Sequence, residues 1–123
     1  METTEKPLWN ELEKSIHEPA RLALVTTLSG SPGGLGFQDL KAECGLTDGN
    51  LSRHLKVLQD AGIVRQHKAG KGRRSRTRVV MTPSGRDAFL KYLHSLEKVL
   101  HGAIDTLEAE ERQGASDLSL AVS

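Results

Sequence analysis

Apolar residues recur at spacings that switch between helical and extended. Leu8, Trp9, Leu12 and Ile16 stand at helical spacing behind Pro7, which predicts a short amphipathic helix over 8–16. Pro19 opens a second helix with Leu22, Ala23, Val25 and Leu28 on its inner side. The run Gly30-Ser31-Pro32-Gly33-Gly34 closes it as a loop. Leu35–Phe37 reads as a very short strand. Phe37, Leu40, Lys41 and Cys44 then form one short helix, which Gly45 stops. Thr47 is a good N-cap for the next helix, and Asp48 suits its positive end. Asp48-Gly49 also fits a hairpin turn. Leu51, Leu55 and Leu58 decide for a helix, because they step by four and three and do not alternate. Ala61-Gly62 ends it.

Ile63–Ala69 and Ser75–Thr82 are short, charged and β-branched, and a glycine-rich basic segment joins them. They predict a β-hairpin with a basic tip. Thr82-Pro83 is an N-cap followed by proline at the first helical position. From there a last helix is expected to about Arg112. Phe89, Leu93, Leu96, Leu100, Ala103 and Leu107 form a heptad seam along it. Residues 114–123 are small and polar and are expected to be a disordered tail. The expected organisation is one domain over 1–113, with a core at 17–82 and the long helix at 83–112. The fold class is mainly α with a small β-hairpin.

Composition agrees. The chain has 123 residues, 37% of them apolar, which suits one domain. Its 18 leucines against four aromatics favour helices over a sandwich. The single cysteine, Cys44, excludes an intramolecular disulfide and predicts a reducing compartment, the cytoplasm. Met1–Asn10 lacks the apolar run of a signal peptide. The longest apolar run, Leu22–Val25, has four residues, so no membrane span is expected.

Charge changes the picture more. The net charge is only +1, but residues 50–91 carry 11 basic against 2 acidic side chains, and each flank carries −4. So concentrated a positive charge is the footprint of a polyanion-binding surface. It falls on the helix after Thr47 and on the hairpin. B-DNA's major groove admits one α-helix. Opposite Leu51, Leu55 and Leu58 lie Gly49, Ser52, Arg53, Lys56 and Asp60, with Asn50 at the margin. Gly49 keeps bulk away from phosphate, and Ser52 donates to phosphate or a base edge. Arg53 suits a two-point contact with guanine, and Asn50 suits adenine or phosphate. Lys56 suits phosphate. On the hairpin, Lys71, Arg73, Arg74, Arg76 and Arg78 suit the DNA backbone or the minor groove.

The string Gly45-Leu46-Thr47-Asp48-Gly49-Asn50-Leu51-Ser52-x-His54-Leu55, with Ala61-Gly62-Ile63-Val64, resembles the helix-turn-helix core of MarR-type and ArsR-type regulators. Arg73-Arg74-x-x-Thr77 and Met81-Thr82-Pro83-Ser84-Gly85-Arg86 are similar to the wing and final-helix opening of that superfamily. The resemblance covers about residues 15–105. It implies a winged helix-turn-helix and a dimeric, sequence-specific transcriptional regulator of a prokaryote. Thr47, Gly49, Asn50, Ser52, Arg53, Lys56, Lys71, Arg73, Arg74 and Arg76 would then bind double-stranded DNA. A helix of roughly 28 residues is about 40 Å long, more than so small a domain covers alone. Leu12, Phe89, Leu93, Leu96, Leu100, Ala103 and Leu107 are therefore expected to form a homodimer interface.

Other chemistry is thinner. Cys44 stands alone, and His17, His67, His94 and His101 have no ligand spacing, so neither a metal nor another cofactor is expected. No H-E-x-x-H or G-x-S-x-G motif is present, and an enzyme is not expected. Two other readings stay open. One is a winged-helix module binding an acidic protein partner. The other is a regulator sensing an unidentified small-molecule effector, with no sequence signature for it. His54, at the edge of the leucine face, is expected to be partly buried and hydrogen-bonded, with a DNA contact as the lesser reading; Cys44 is expected to be buried, with a redox-sensing role left open.

Overall fold

The computed structural model describes residues 9–70 and 76–122, residues 69 and 116–122 by backbone only. The order is α1 (Glu11–His17), α2 (Pro19–Ser29), β1 (Leu35–Gly36), α3 (Phe37–Cys44), α4 (Asp48–Asp60), β2 (Val64–Ala69), β3 (Arg76–Met81) and α5 (Pro83–Val122). It is a winged helix with a long C-terminal helix, mostly helical with one small antiparallel sheet. The strand order is β1-β3-β2. Val64 pairs with Met81 and Ala69 with Arg76, which sets the hairpin register; Leu35 pairs with Val79 on the other edge of β3.

The first helix begins later than Pro7 suggests. Asn10 caps it, accepting from the Glu13 amide at 2.7 Å, while the Glu13 carboxylate accepts from the Asn10 amide at 3.2 Å. This reciprocal pair satisfies two amides that Pro7 cannot serve. Trp9 precedes the helix and stacks on His17, with ring centroids 4.7 Å apart. In α2 the buried residues are Leu24, Val25 and Leu28; Ala23 is exposed and Leu22 half-buried. The larger Leu24 thus takes the inner position that the spacing gave to Ala23. α2 is the hub, packing on α1, α3, α4 and β3.

α3 ends at Gly45, whose φ of 63° lets its amide reach back to the Ala42 and Lys41 carbonyls. Thr47 caps α4, accepting from the Asn50 amide at 3.1 Å. Lys41 pairs with Asp48 at 2.8 Å across the turn. Leu51, Leu55 and Leu58 are fully buried. Each such side chain contributes roughly 1.5–3 kcal/mol of burial.

The chain divides into two compact units after Leu90. The first is the winged domain, whose core also holds Ile16, Leu40, Ile63, Val79 and Phe89. The second lies on α5 from Lys91 onward. α5 does not stop near Arg112 but continues to Val122. Gly114 lacks the positive φ that makes Gly45 a stop. A glycine inside a helix costs only about 1 kcal/mol relative to alanine, so it does not end one by itself. Among the described residues, no helix is long and apolar enough to cross a membrane.

Candidate nucleic-acid interface

α4 offers one buried and one exposed face. Gly49, Asn50, Ser52, Arg53 and Lys56 are exposed, and so is the cap residue Thr47. A Cβ on Gly49 would meet nothing within 4 Å, so this position stays open to a ligand's approach. Arg53 Nη2 donates to Asn50 Oδ1 at 3.1 Å. Lys56 pairs with Asp60 at 3.3 Å, which explains an acidic residue on this cationic face. The pair is exposed on both sides, so it orients more than it stabilises.

Ser52 and Arg76 meet across an open cleft of about 750 Å3, which Gln38, Asp39, Gln66 and Lys68 also line. Gln66 Nε2 donates to Gln59 Oε1 at 2.9 Å and so ties β2 to the end of α4. Gln38, Gln66 and Lys68 were not singled out by sequence. The signal for Lys68 was its place directly across from Thr77 in the hairpin register, which no local pattern fixes. Lys71, Arg73 and Arg74 lie outside the described residues.

Arg78, exposed like Arg76, has protein partners of its own. Its Nε donates to the Gly33 carbonyl at 2.9 Å and its Nη2 to the Gly34 carbonyl at 3.3 Å. It anchors the loop after α2 to the sheet. Gly34 needs its φ of 85°, and a Cβ there would press into Val79 and Val80.

Behind the exposed face, α4 rests on a polar cluster. His54 is 8% exposed. Arg21 Nη1 and Glu18 Oε2 each lie 3.4 Å from its Nδ1. One ring nitrogen cannot accept from the guanidinium and donate to the carboxylate at once, so the two contacts alternate with the tautomer. Glu18 also caps α2 through the Ala20 and Arg21 amides, and Arg21 Nε donates to the Ser15 carbonyl at 2.5 Å. The cluster links α1, α2 and α4. Replacing His54 by alanine is expected to lower the unfolding free energy by about 2 kcal/mol, because it leaves a cavity and removes the contact that ties α4 to the Glu18–Arg21 pair. Urea denaturation measures it, and an unchanged midpoint would show that the cluster contributes nothing to stability.

Cys44 is half-buried, with Sγ 3.7 Å from Thr27 Oγ1. Among the described residues no group of three or more His, Cys, Asp or Glu side chains is placed to hold a metal ion.

On α5, Phe89 differs from the rest of the expected seam. It is 7% exposed within one chain, because the first turns of the helix belong to the winged core. Leu93, Leu100, Ala103 and Leu107 are exposed and Leu96 half-buried. Ile104, half exposed, adds to the same stripe. Leu12, on α1, is half-buried.

The family profile described as "Winged helix DNA-binding domain" matches residues 20–100. An uncharacterized protein of Methanocaldococcus jannaschii is 40% identical over 60 residues, 49% of this chain; the match spans 65% of that relative's length. The structure of a transcriptional regulator homologue from Pyrococcus horikoshii OT3 is similar at a TM-score of 0.68 and 30% identity, over 73% of this chain and 88% of the other. A MarR-family transcriptional regulator from Silicibacter pomeroyi is similar at a TM-score of 0.55 and 27% identity, over 71% of this chain and 60% of the other. The chain belongs to the winged helix DNA-binding domain family, with MarR-type regulators among its structural neighbours.

Proposed function

We propose that the protein binds double-stranded DNA as a homodimer in the cytoplasm and regulates transcription through base-specific contacts. The observation that carries this reading is the exposed Ser52, Arg53 and Lys56 on α4, beside a cleft lined by Lys68 and Arg76. In this reading α4 enters the major groove. Arg53 contacts a guanine, and Ser52 and Lys56 contact phosphate or base edges, with Thr47, Gly49 and Asn50 at the helix start. Arg76 and the hairpin's Lys71, Arg73 and Arg74 follow the backbone or the adjacent minor groove. Leu12, Leu93, Leu96, Leu100, Ala103 and Leu107 pair two copies, which places two recognition helices about 34 Å apart on successive major grooves.

The test is selection of bound duplexes from a random library, with affinity titrated at two salt concentrations. The expected result is an enriched inverted repeat with half-sites about one helical turn apart. Arg53→Ala is then expected to relax one position of each half-site at a cost of about 1–3 kcal/mol. Equal loss on every sequence would make Arg53 a phosphate contact. No enriched motif, with affinity collapsing as salt rises, would overturn specific recognition and favour a protein-interaction module.

A further inference from the structure

We propose that Asn50 is a positioning residue for Arg53 and not a reader of its own base. The inference rests on the DNA-binding reading above and assigns the device that aims its central side chain. Two hydrogen bonds run in series from the start of α4. The Asn50 amide donates to Thr47 Oγ1 at 3.1 Å, and Arg53 Nη2 donates to Asn50 Oδ1 at 3.1 Å. The cap therefore fixes the backbone of Asn50, and the amide side chain of Asn50 fixes the guanidinium one turn later.

The chemistry of the acceptor matters. Among the described residues Arg53 forms no ion pair, whereas Lys56 is matched by the Asp60 carboxylate. A neutral amide oxygen orients the guanidinium without cancelling the charge that DNA attracts. The guanidinium is a rigid planar fork with five N–H donors. Holding one of them fixes the plane and leaves four, enough for a two-point contact with O6 and N7 of guanine. Ordering the side chain before contact removes part of the entropy cost of docking a long flexible arginine. Two-point recognition of adenine by Asn50 would use its Oδ1 and its amide nitrogen together, and it would have to share that oxygen with the Arg53 guanidinium, which already takes one of its two lone pairs.

The experiment selects bound duplexes from a random library with the full-length protein and four variants: Asn50→Ala, Asn50→Asp, Arg53→Ala and the double alanine variant. Asn50→Ala is expected to weaken preference at the same base pair that Arg53→Ala relaxes, by roughly 3- to 10-fold, the size of one hydrogen bond. The double variant is expected to match Arg53→Ala alone, because a positioning residue has nothing left to aim. Asn50→Asp keeps an acceptor, so it should retain the preference at that base pair while weakening binding to all sequences through its charge. A merely structural defect in α4 would lower all sequences alike and would not be rescued by aspartate. Relaxation at a different base pair, or additive losses in the double variant, would overturn the positioning role. If the wild-type protein enriches no motif, the DNA-reading proposal fails and the role of Asn50 with it. If Arg53→Ala relaxes one position that Asn50→Ala leaves intact, only the positioning role falls.

Discussion

Replacing Gly85 by alanine is expected to destabilise the winged domain by about 3 kcal/mol. Gly85 sits in the first turn of α5 and is buried. A Cβ there would lie 2.9 Å from the carbonyl carbon and the Cα of Ile63, and closer still to its oxygen. Backbone cannot rotate aside as a flexible side chain can. The same Ile63 oxygen accepts from the Thr82 amide at 2.9 Å and from Thr82 Oγ1 at 3.2 Å. Thr82 Oγ1 in turn accepts from the Gly85 amide at 2.9 Å, and Ser84 Oγ reaches the Gly62 carbonyl at 3.1 Å. Pushing α5 away to admit a methyl group would break the cap together with the contacts that hold it to the end of α4. Gly114→Ala is the control. It lies in the same helix, and a Cβ there meets nothing within 4 Å. It should be neutral or stabilising by up to about 1 kcal/mol. Urea unfolding of both variants decides the matter. Equal stability of Gly85→Ala and wild type would mean that α5 does not approach Ile63 so closely.

Gly85 shows where sequence reading reaches and where it stops. The opening of α5 was legible, because Thr82 and Pro83 are local signals for a helix start. The role of Gly85 was not, because its cause is a backbone segment 22 positions earlier. The same division runs through the fold. Gly45, Thr47 and the Leu51, Leu55, Leu58 spacing fixed the turn between α3 and α4 within one stretch of chain, and the structure follows them. At the first helix, proline spacing and a polar capping pair competed, and Asn10 with Glu13 won because two amides gain partners. In α2, Ala23 and Leu24 are both apolar neighbours that could face inward, and packing against the rest of the core chose the larger and left Ala23 exposed.

At the candidate site the exposed face of α4 was legible from helical periodicity alone, and Ser52, Arg53 and Lys56 lie on it. Arg78 also has structural partners that charge alone does not reveal. Its guanidinium bonds carbonyls at Gly33 and Gly34, more than 40 residues away in sequence. Neither the cluster of Glu18, Arg21 and His54 nor the cleft shared by Ser52 and Arg76 follows from a local pattern. Each joins segments that meet only after α2, α4 and the sheet have packed.

Leu100→Asp is expected to turn a dimer into a monomer and to weaken binding to a full inverted repeat by 100-fold or more. The stripe on the second unit is Leu93 at 40% exposure, Leu100 at 50%, Ile104 at 51% and Leu107 at 60%. One exposed leucine needs no explanation, but a continuous row at heptad spacing does, since contiguous apolar surface of this kind marks an interaction site. Leu100 stands in the middle of the row, so in a two-fold pair its aspartate would bring two carboxylates into an apolar seam. Desolvating them without partners costs several kcal/mol, enough to separate the chains at micromolar concentration. Each freed chain would still hold one half-site, but it would lose the effective concentration that tethering gives the second, a factor of about 10²–10⁴. Lys98→Asp, on the polar side of the same helix, separates charge from interface. It should leave the dimer intact. Sedimentation equilibrium of wild type and both variants, followed by titration with one and two half-sites, measures both effects. A monomeric wild-type protein would remove the pairing role from α5. A Leu100→Asp variant that stays dimeric would move the interface elsewhere. Monomers that bind the full repeat as tightly as wild type would show that each α4 reads its half-site alone, with dimerisation serving some end other than affinity.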